Sequence, residues 1–253
     1  MIDAHIHLDD NRFDGQRKEL LADARKAGVS QFIVPAVAVS GFEKLNKLTH
    51  EYKGVFAAYG LHPYYIERHQ VSDINYLDQY LTNNNSCAVG ECGLDFFLKN
   101  LDRKKQTDYL QAQIELAIKH QLPLVLHARG AVDAVYNLLK ENNYFNAMIH
   151  SYNGSIEQSR RLLDYDIKFS FGGAICHPQA HKIHKLVRFC PLDNIMFETD
   201  APDQNLYPNQ KKSNKPSNLK TIVECYADLK HYDCEQVKFR SILTTRSFFN
   251  IPY

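Results

Sequence analysis

A chain of 253 residues with 44% hydrophobic and 23% charged side chains fits one α/β barrel of about 250 residues, or two small domains, in an ordinary globular protein. Its 30 basic and 29 acidic side chains leave a formal charge of +1, which argues against a protein that grips nucleic acid mainly by neutralising phosphates. Any nucleic-acid contact must then be local or carried by bound metal. No apolar run approaches the roughly 18 residues of a membrane span, and no charged-then-apolar leader opens the chain. Cys87, Cys92, Cys176, Cys190, Cys225 and Cys234 form no CxxC pair, so a cytoplasmic protein with reduced, buried thiols outside the chemistry is expected.

Short apolar runs recur along the chain at the spacing of βα units. In order they are Met1–His7, Gln31–Ala36, Val55–Gly60, Ala88–Glu91, Leu124–His127, Ala147–His150, Lys168–Phe171 and Ile195–Glu198. Between them lie segments of helical period. Leu101 to His120 puts Leu110, Ile114, Ala117 and Ile118 on one face, Val132 to Leu139 and Ile156 to Leu163 behave alike, and Ser155 suits an N-cap. Eight strand-like runs alternating with helices predict a single (β/α)8 TIM barrel over residues 1–253, with the site at the C-terminal ends of the strands. A doubly wound open sheet stays open as an alternative, although the GxGxxG fingerprint is absent. After the eighth run, Ala201 to Ser217 holds Pro202, Pro208 and Pro216 with Lys211, Lys212 and Lys215, and reads as a binding loop, a lid or a solvated connector.

The strand ends carry the chemistry. They read Asp3-Ala4-His5-Ile6-His7, Gly60-Leu61-His62-Pro63, Gly90-Glu91-Cys92-Gly93-Leu94-Asp95, Leu126-His127-Ala128-Arg129, Ile149-His150-Ser151 and Glu198-Thr199-Asp200-Ala201-Pro202. His5 and His7, two apart, point to one side of a strand, inward if Ile6 packs outward. Singly these signals are weak: an HxH pair arises by chance, a lone inward histidine is usually a bonded core residue, and Glu91 or Asp200 could cap a helix. Together, four histidines and two carboxylates buried on one barrel face need divalent cations to neutralise the acids and use the imidazole lone pairs.

The strings IDAHIHLD, GLHP, GECGLD, LVLHAR, MIHSYNG and FETDAP, in this order and spacing, resemble the TatD family of metal-dependent deoxyribonucleases, within the amidohydrolase superfamily of barrels. The resemblance implies metal ligation by His5, His7, Glu91, His127, His150 and Asp200, with Glu91 bridging two ions and with His62 and Arg129 at the substrate's phosphate. It implies DNA as substrate, sometimes RNA, and in some members deacylation of mischarged tRNA. The match covers most of the chain. It departs in the loop after the eighth strand, where relatives commonly carry Arg-Gly and then Asn-Glu-Pro. Here Lys211-Lys212 and Asn214-Lys215-Pro216 stand instead, which leaves a substrate other than DNA open.

On this basis Asp200 is the expected proton acceptor for an attacking water, and Glu91 shares the reactive centre. Imidazole-rich ligation favours Zn or Mn, with Mg a weaker occupant, although family nucleases are described as Mg-supported. The expected partner is nucleic acid bound weakly and salt-sensitively, with no membrane and no protein partner. The rival is hydrolysis of an amide or carboxylic ester, including aminoacyl-tRNA, on the same two-metal site. A polymerase-and-histidinol-phosphatase barrel ranks low, since its Asp-x-His is replaced by Glu198-Thr199-Asp200, and a non-catalytic metal-binding scaffold is the bland option. Tyr64, Tyr65, Phe96 and Phe97 could stack on bases or pack under loops. His177, His181 and His184 mimic a metal face but read as exposed helix histidines, with His177 at the mouth in reach of a substrate.

Overall fold

The computed structural model describes residues 1–252. Eight parallel strands form one sheet in chain order: β1 (Ile2–Asp3), β2 (Gln31–Pro35), β3 (Val55–Tyr59), β4 (Ala88–Asp95), β5 (Leu124–Arg129), β6 (Ala147–Ile149), β7 (Lys168–Phe171) and β8 (Ile195–Phe197). Beyond β1 and β8 the seam is bridged by single backbone bonds. Ala4 donates to the Phe197 carbonyl, Asp200 to that of His5 and His7 to that of Ala201, each at 2.9 Å. The result is a nearly closed barrel.

Helices α1 (Arg17–Lys26), α2 (Phe42–Glu51), α3 (Val71–Asn83), α4 (Arg103–His120), α5 (Val132–Glu141), α6 (Ile156–Leu163) and α7 (His181–Phe189) connect successive strands, and α8 (Leu219–Lys230) and α9 (Cys234–Phe249) follow β8. Local chemistry sets their starts. Ser155 Oγ accepts the Gln158 N–H at 3.1 Å while Gln158 Oε1 accepts the Ser155 N–H at 2.8 Å, a reciprocal cap for α6. Asp102 caps α4 through Lys105 N–H at 3.0 Å. On α4, Leu110, Ile114 and Ala117 are buried as their spacing predicts, but Ile118 is exposed, because the buried stripe runs instead through Tyr109, Gln113 and Leu116.

Strand residues alternate between two buried clusters, as a pleat requires. Phe32, Val34 and Ala36 join the larger cluster between sheet and helices, whereas Ile33, Ala58, Val125, Met148 and Met196 belong to the smaller one, together with Phe249 and Ile251 from the chain's end. The same alternation turns Ile6 outward and His5 and His7 inward. Regular pairing in β1 stops at Asp3, four residues short of the expected His7, while β4 and β5 run on to pair Asp95 with Arg129.

Candidate metal centre

The β1/β8 side of the site is organised by Asp3. This fully buried carboxylate accepts the Thr199 N–H at 2.9 Å and the Thr199 hydroxyl at 2.6 Å, tying the two strand ends together. Burial pushes its pKa up to about 8, against the pull of the two Thr199 bonds. The tie faces His5, His7 and Asp200 toward one point: His5 Nε2 lies 3.6 Å and His7 Nε2 3.4 Å from Asp200 Oδ1. Asp200 sits at φ 51, a left-handed conformation that Asp tolerates better than most residues.

Glu91 lies in the middle of this cluster. The β4/β5 register shifts between Val89 and Cys92, and such an irregularity re-aims a side chain. The approach needs glycine on both flanks. A Cβ at Gly60 would lie 2.6 Å from the Gly90 backbone, and one at Gly93 would lie 2.0 Å from the His127 carbonyl oxygen. The two Glu91 oxygens then face different partners. Oε2 is 3.2 Å from His5 Nε2 and 3.6 Å from His7 Nε2, while Oε1 is 2.8 Å from His62 Nε2, 2.9 Å from His150 Nε2 and 3.3 Å from His127 Nδ1.

On the far side each histidine has a carboxylate behind it. His127 Nε2 faces Asp95 Oδ2 at 3.3 Å, leaving Nδ1 toward the centre. His150 Nδ1 faces Glu198 Oε1 at 3.7 Å, leaving Nε2 toward the centre, and Glu198 is itself held by the Ser170 hydroxyl. Such outer carboxylates fix the tautomer and the aim of a ligating imidazole. His62 behaves differently. Its Nδ1 accepts the Tyr64 N–H at 3.0 Å, so the ring proton resides on Nε2, which donates to Glu91 rather than offering a lone pair. Burial holds its pKa down to about 4, which keeps the ring neutral. Arg129, half exposed on the cavity wall, has its guanidinium 4.0 Å from the Phe97 ring centre and 3.9 Å from Asp95.

Without a cation the cluster is an electrostatic tangle. Burial opposes ionisation of Glu91, but His62, His150 and His5 outweigh it and hold the carboxyl well below its usual range. Burial opposes a charge on His150, yet Glu91 and Glu198 drive its pKa well upward; His7 and His127 shift upward in the same way. His5 Nε2 and Glu91 Oε2 are both buried with no hydrogen-bond partner although they face each other. A lone pair and a carboxylate oxygen aimed at a common point, with a His5–His7–Asp200 triad beside them, fit a divalent cation. Above the cluster opens a cavity of about 1440 Å³ whose walls include His7, His62, Glu91, His127, Arg129, His150 and Asp200.

The TatD related DNase family model matches residues 2–250. The chain is 32% identical to the Escherichia coli metal-dependent hydrolase YjjV over 99% of its length and 98% of that protein's. The crystal structure of that TatD homologue superposes with a TM-score of 0.96 at 31% identity, covering 100% of this chain and 98% of the other. This chain belongs to the TatD family. It is a metal-dependent hydrolase, like the relatives it matches. A mouse putative deoxyribonuclease, TATDN3, is 28% identical over 99% of the chain and 87% of its own length.

Against this TatD frame, all six residues expected as metal ligands converge, and neither Glu91 nor Asp200 caps a helix. Sequence reasoning gave no role to Asp3, Asp95 and Glu198. Each lies two or four residues from a converging residue at the same strand end (Asp3 before His5, Asp95 after Glu91, Glu198 before Asp200), and that even spacing is the available signal.

The loop after β8 contributes only Asp203 and Gln204 to the cavity wall; Lys211, Lys212 and Lys215 stay off it. Its stem is fixed at both ends. Arg12 grips Asp203 at 2.8 and 2.7 Å, and the buried Asn214 side chain donates to the Thr199 carbonyl at 2.7 Å. The expectation of three exposed helix histidines holds only for His181: His177 precedes α7, and His184, within α7, is half-buried and bonds the Ile175 carbonyl at 2.9 Å. His177 is not on the cavity wall; its ring meets Tyr207 at 4.8 Å. Of the cysteines only Cys92 and Cys190 are buried; the other four are partly exposed, and all six are free. No helix among the described residues is long and apolar enough to cross a membrane.

Proposed function

We propose that this TatD hydrolase cleaves phosphodiester bonds in DNA or a related nucleic acid, with two divalent ions held on opposite sides of Glu91. His5, His7, Glu91 and Asp200 would hold one, and Glu91, His127 and His150 the other. The donor set is that of Zn or Mn, with Mg a weaker occupant. Bound ions of this kind lower the pKa of water and polarise phosphoryl oxygens.

The protein's own groups divide the remaining work. Asp200, at the cavity floor and steadied by Gln204 Nε2 on its second oxygen, accepts the proton of the attacking water. Arg129 offers planar donors to phosphoryl oxygens from the wall. The observation that carries the phosphodiester reading is the planar cation Arg129 on the cavity wall, which suits a phosphate where an ester or amide needs none. His62, whose Nε2–H donates to Glu91, would turn that proton to a substrate oxyanion of either kind once cations neutralise Glu91. The family description and the name of the mouse relative point the same way.

The test is a substrate panel with the Zn- and Mn-loaded protein: single-stranded and duplex DNA, RNA, a nucleotide p-nitrophenyl diester, carboxylic esters, amides and an aminoacyl-tRNA. Cleavage of the phosphodiesters with esters and amides left intact is expected. The reverse pattern would make the chain a carboxyl-group hydrolase on the same centre.

A further inference from the structure

We propose that Cys176 and Cys225 form a reversible dithiol–disulfide site, and that closing the bond weakens metal binding at the barrel mouth. Cys176 ends the short 3-10 helix Gly173–Cys176 that follows β7, and Cys225 lies within α8. The two elements pack together. Cys176 Sγ lies 4.0 Å from the Thr221 carbonyl oxygen. Thr221 is one helical turn before Cys225, whose side chain leans back over that turn. The two sulfurs therefore meet within hydrogen-bonding reach, and both thiols are free and partly exposed.

The pair is chemically unequal. The Cys176 S–H donates to the Cys225 sulfur, which raises the pKa of Cys176 and holds that of Cys225 below its ordinary value, against burial and the Asp228 and Glu224 carboxylates. Among the described residues no other cysteine is shifted down. Burial pushes Cys87 up to about 12, and Cys92, Cys190 and Cys234 move the same way. Cys225 is thus the nucleophile. Its thiolate, having released its proton to water, attacks one sulfur of a small-molecule disulfide, forms a mixed disulfide and expels a thiolate. That thiolate takes the Cys176 proton. The Cys176 sulfur then attacks Cys225 Sγ and expels the second thiolate, which is protonated from water. Two protein thiols are oxidised, and the small disulfide is reduced to two thiols.

The 3-10 helix also touches the centre. A Cβ at Gly172, just before it, would lie 3.3 Å from Glu198 Cγ, and one at Gly173 would lie 2.5 Å from the Gln204 carbonyl oxygen. Glu198 stands behind His150, and the Gln204 side chain bonds Asp200. A covalent bond between sulfurs is far shorter than a contact between thiols. Closing it draws this segment toward α8, away from the two side chains that aim His150 and Asp200.

The experiment equilibrates the full-length protein with glutathione disulfide and glutathione, quenches with N-ethylmaleimide and maps the digest by mass. One intramolecular link between the Cys176 and Cys225 peptides is expected, undone by a phosphine reductant, with the other cysteines alkylated. Cys176→Ser should stop at a glutathione adduct on Cys225, and Cys225→Ser should leave Cys176 unmodified. Mn binding is followed by the EPR signal of the free ion, since Mn prefers oxygen and nitrogen ligands to thiols. It should weaken roughly threefold or more on oxidation, recover on reduction, and stay constant in Cys176→Ser/Cys225→Ser under the same treatment. No link, or links scattered over the other cysteines, overturns the redox site. A link that leaves Mn affinity within about 1.5-fold of the reduced protein overturns the coupling. If neither state binds Mn, the metal reading fails and the coupling with it, while the link map still decides the redox site.

Discussion

On the β5/β6 side of Glu91, His127 is backed by Asp95 at 3.3 Å and His150 by Glu198 at 3.7 Å. On the β1/β8 side order comes from the chain itself, through Asp3, Thr199 and the backbone bonds across the seam; His5 Nδ1, like His150 Nδ1 on the other side, is buried without a hydrogen bond. One half aims its imidazoles with outer carboxylates, which also make them better donors; the other aims its groups by locking two strand ends together. The difference suits a division of labour. On the proposed mechanism the β5/β6 half would keep a cation, and the β1/β8 half would supply Asp200 as the group that exchanges a proton in each turnover.

The strongest blow to both halves is Glu91→Gln, because each carboxylate oxygen serves one side. Both metal equivalents and hydrolysis should fall together, activity on the order of 10⁴-fold, equivalent to roughly 5–6 kcal/mol; metal analysis beside a rate assay checks it. Retention of one tightly held ion would show that only one half depends on Glu91. Next, Asp200→Asn should spare the β5/β6 ion and the melting temperature while lowering turnover on the order of 10³-fold. Turnover within about threefold of wild type, under about 1 kcal/mol, would remove Asp200 as the proton acceptor.

Acid should act on both halves. His7, His127 and His150 hold protons more tightly than free histidine, the last most of all. A cation must displace those protons, so apparent affinity falls as pH falls, by about tenfold per unit for each proton released. Equilibrium dialysis with Zn at pH 8 and pH 6 should show a loss on the order of a hundredfold for each proton displaced, and a flat profile would contradict the protonated state of the metal-free cluster. Smaller still, Asp95→Asn and Glu198→Gln should each weaken metal binding by about ten- to a hundredfold. An equal effect on the two metal equivalents would erase the contrast between the halves.

The fold was readable because eight apolar runs alternate with helical segments, a pattern set by burial alone. The converging residues were readable because His and carboxylate cluster at strand ends. Their support was less so. Asp3 and Glu198 look like ordinary strand residues until Thr199 and Ser170, separated from them by 196 and 28 positions, close around them. The inward aim of Glu91 depends on a register shift and on glycines whose crowding exists only once β3, β4 and β5 are side by side. The His62 tautomer depends on a backbone bond two residues on, in a turn that composition does not announce.

Anomalous diffraction from crystals loaded with Zn puts the account most directly at risk. Two peaks are expected, one within about 2.0–2.2 Å of ligand atoms from His5, His7 and Asp200 and one equally close to His127 and His150, with Glu91 between them. No peak in the barrel mouth, or a peak that leaves Glu91 and Asp200 uncoordinated, would contradict it.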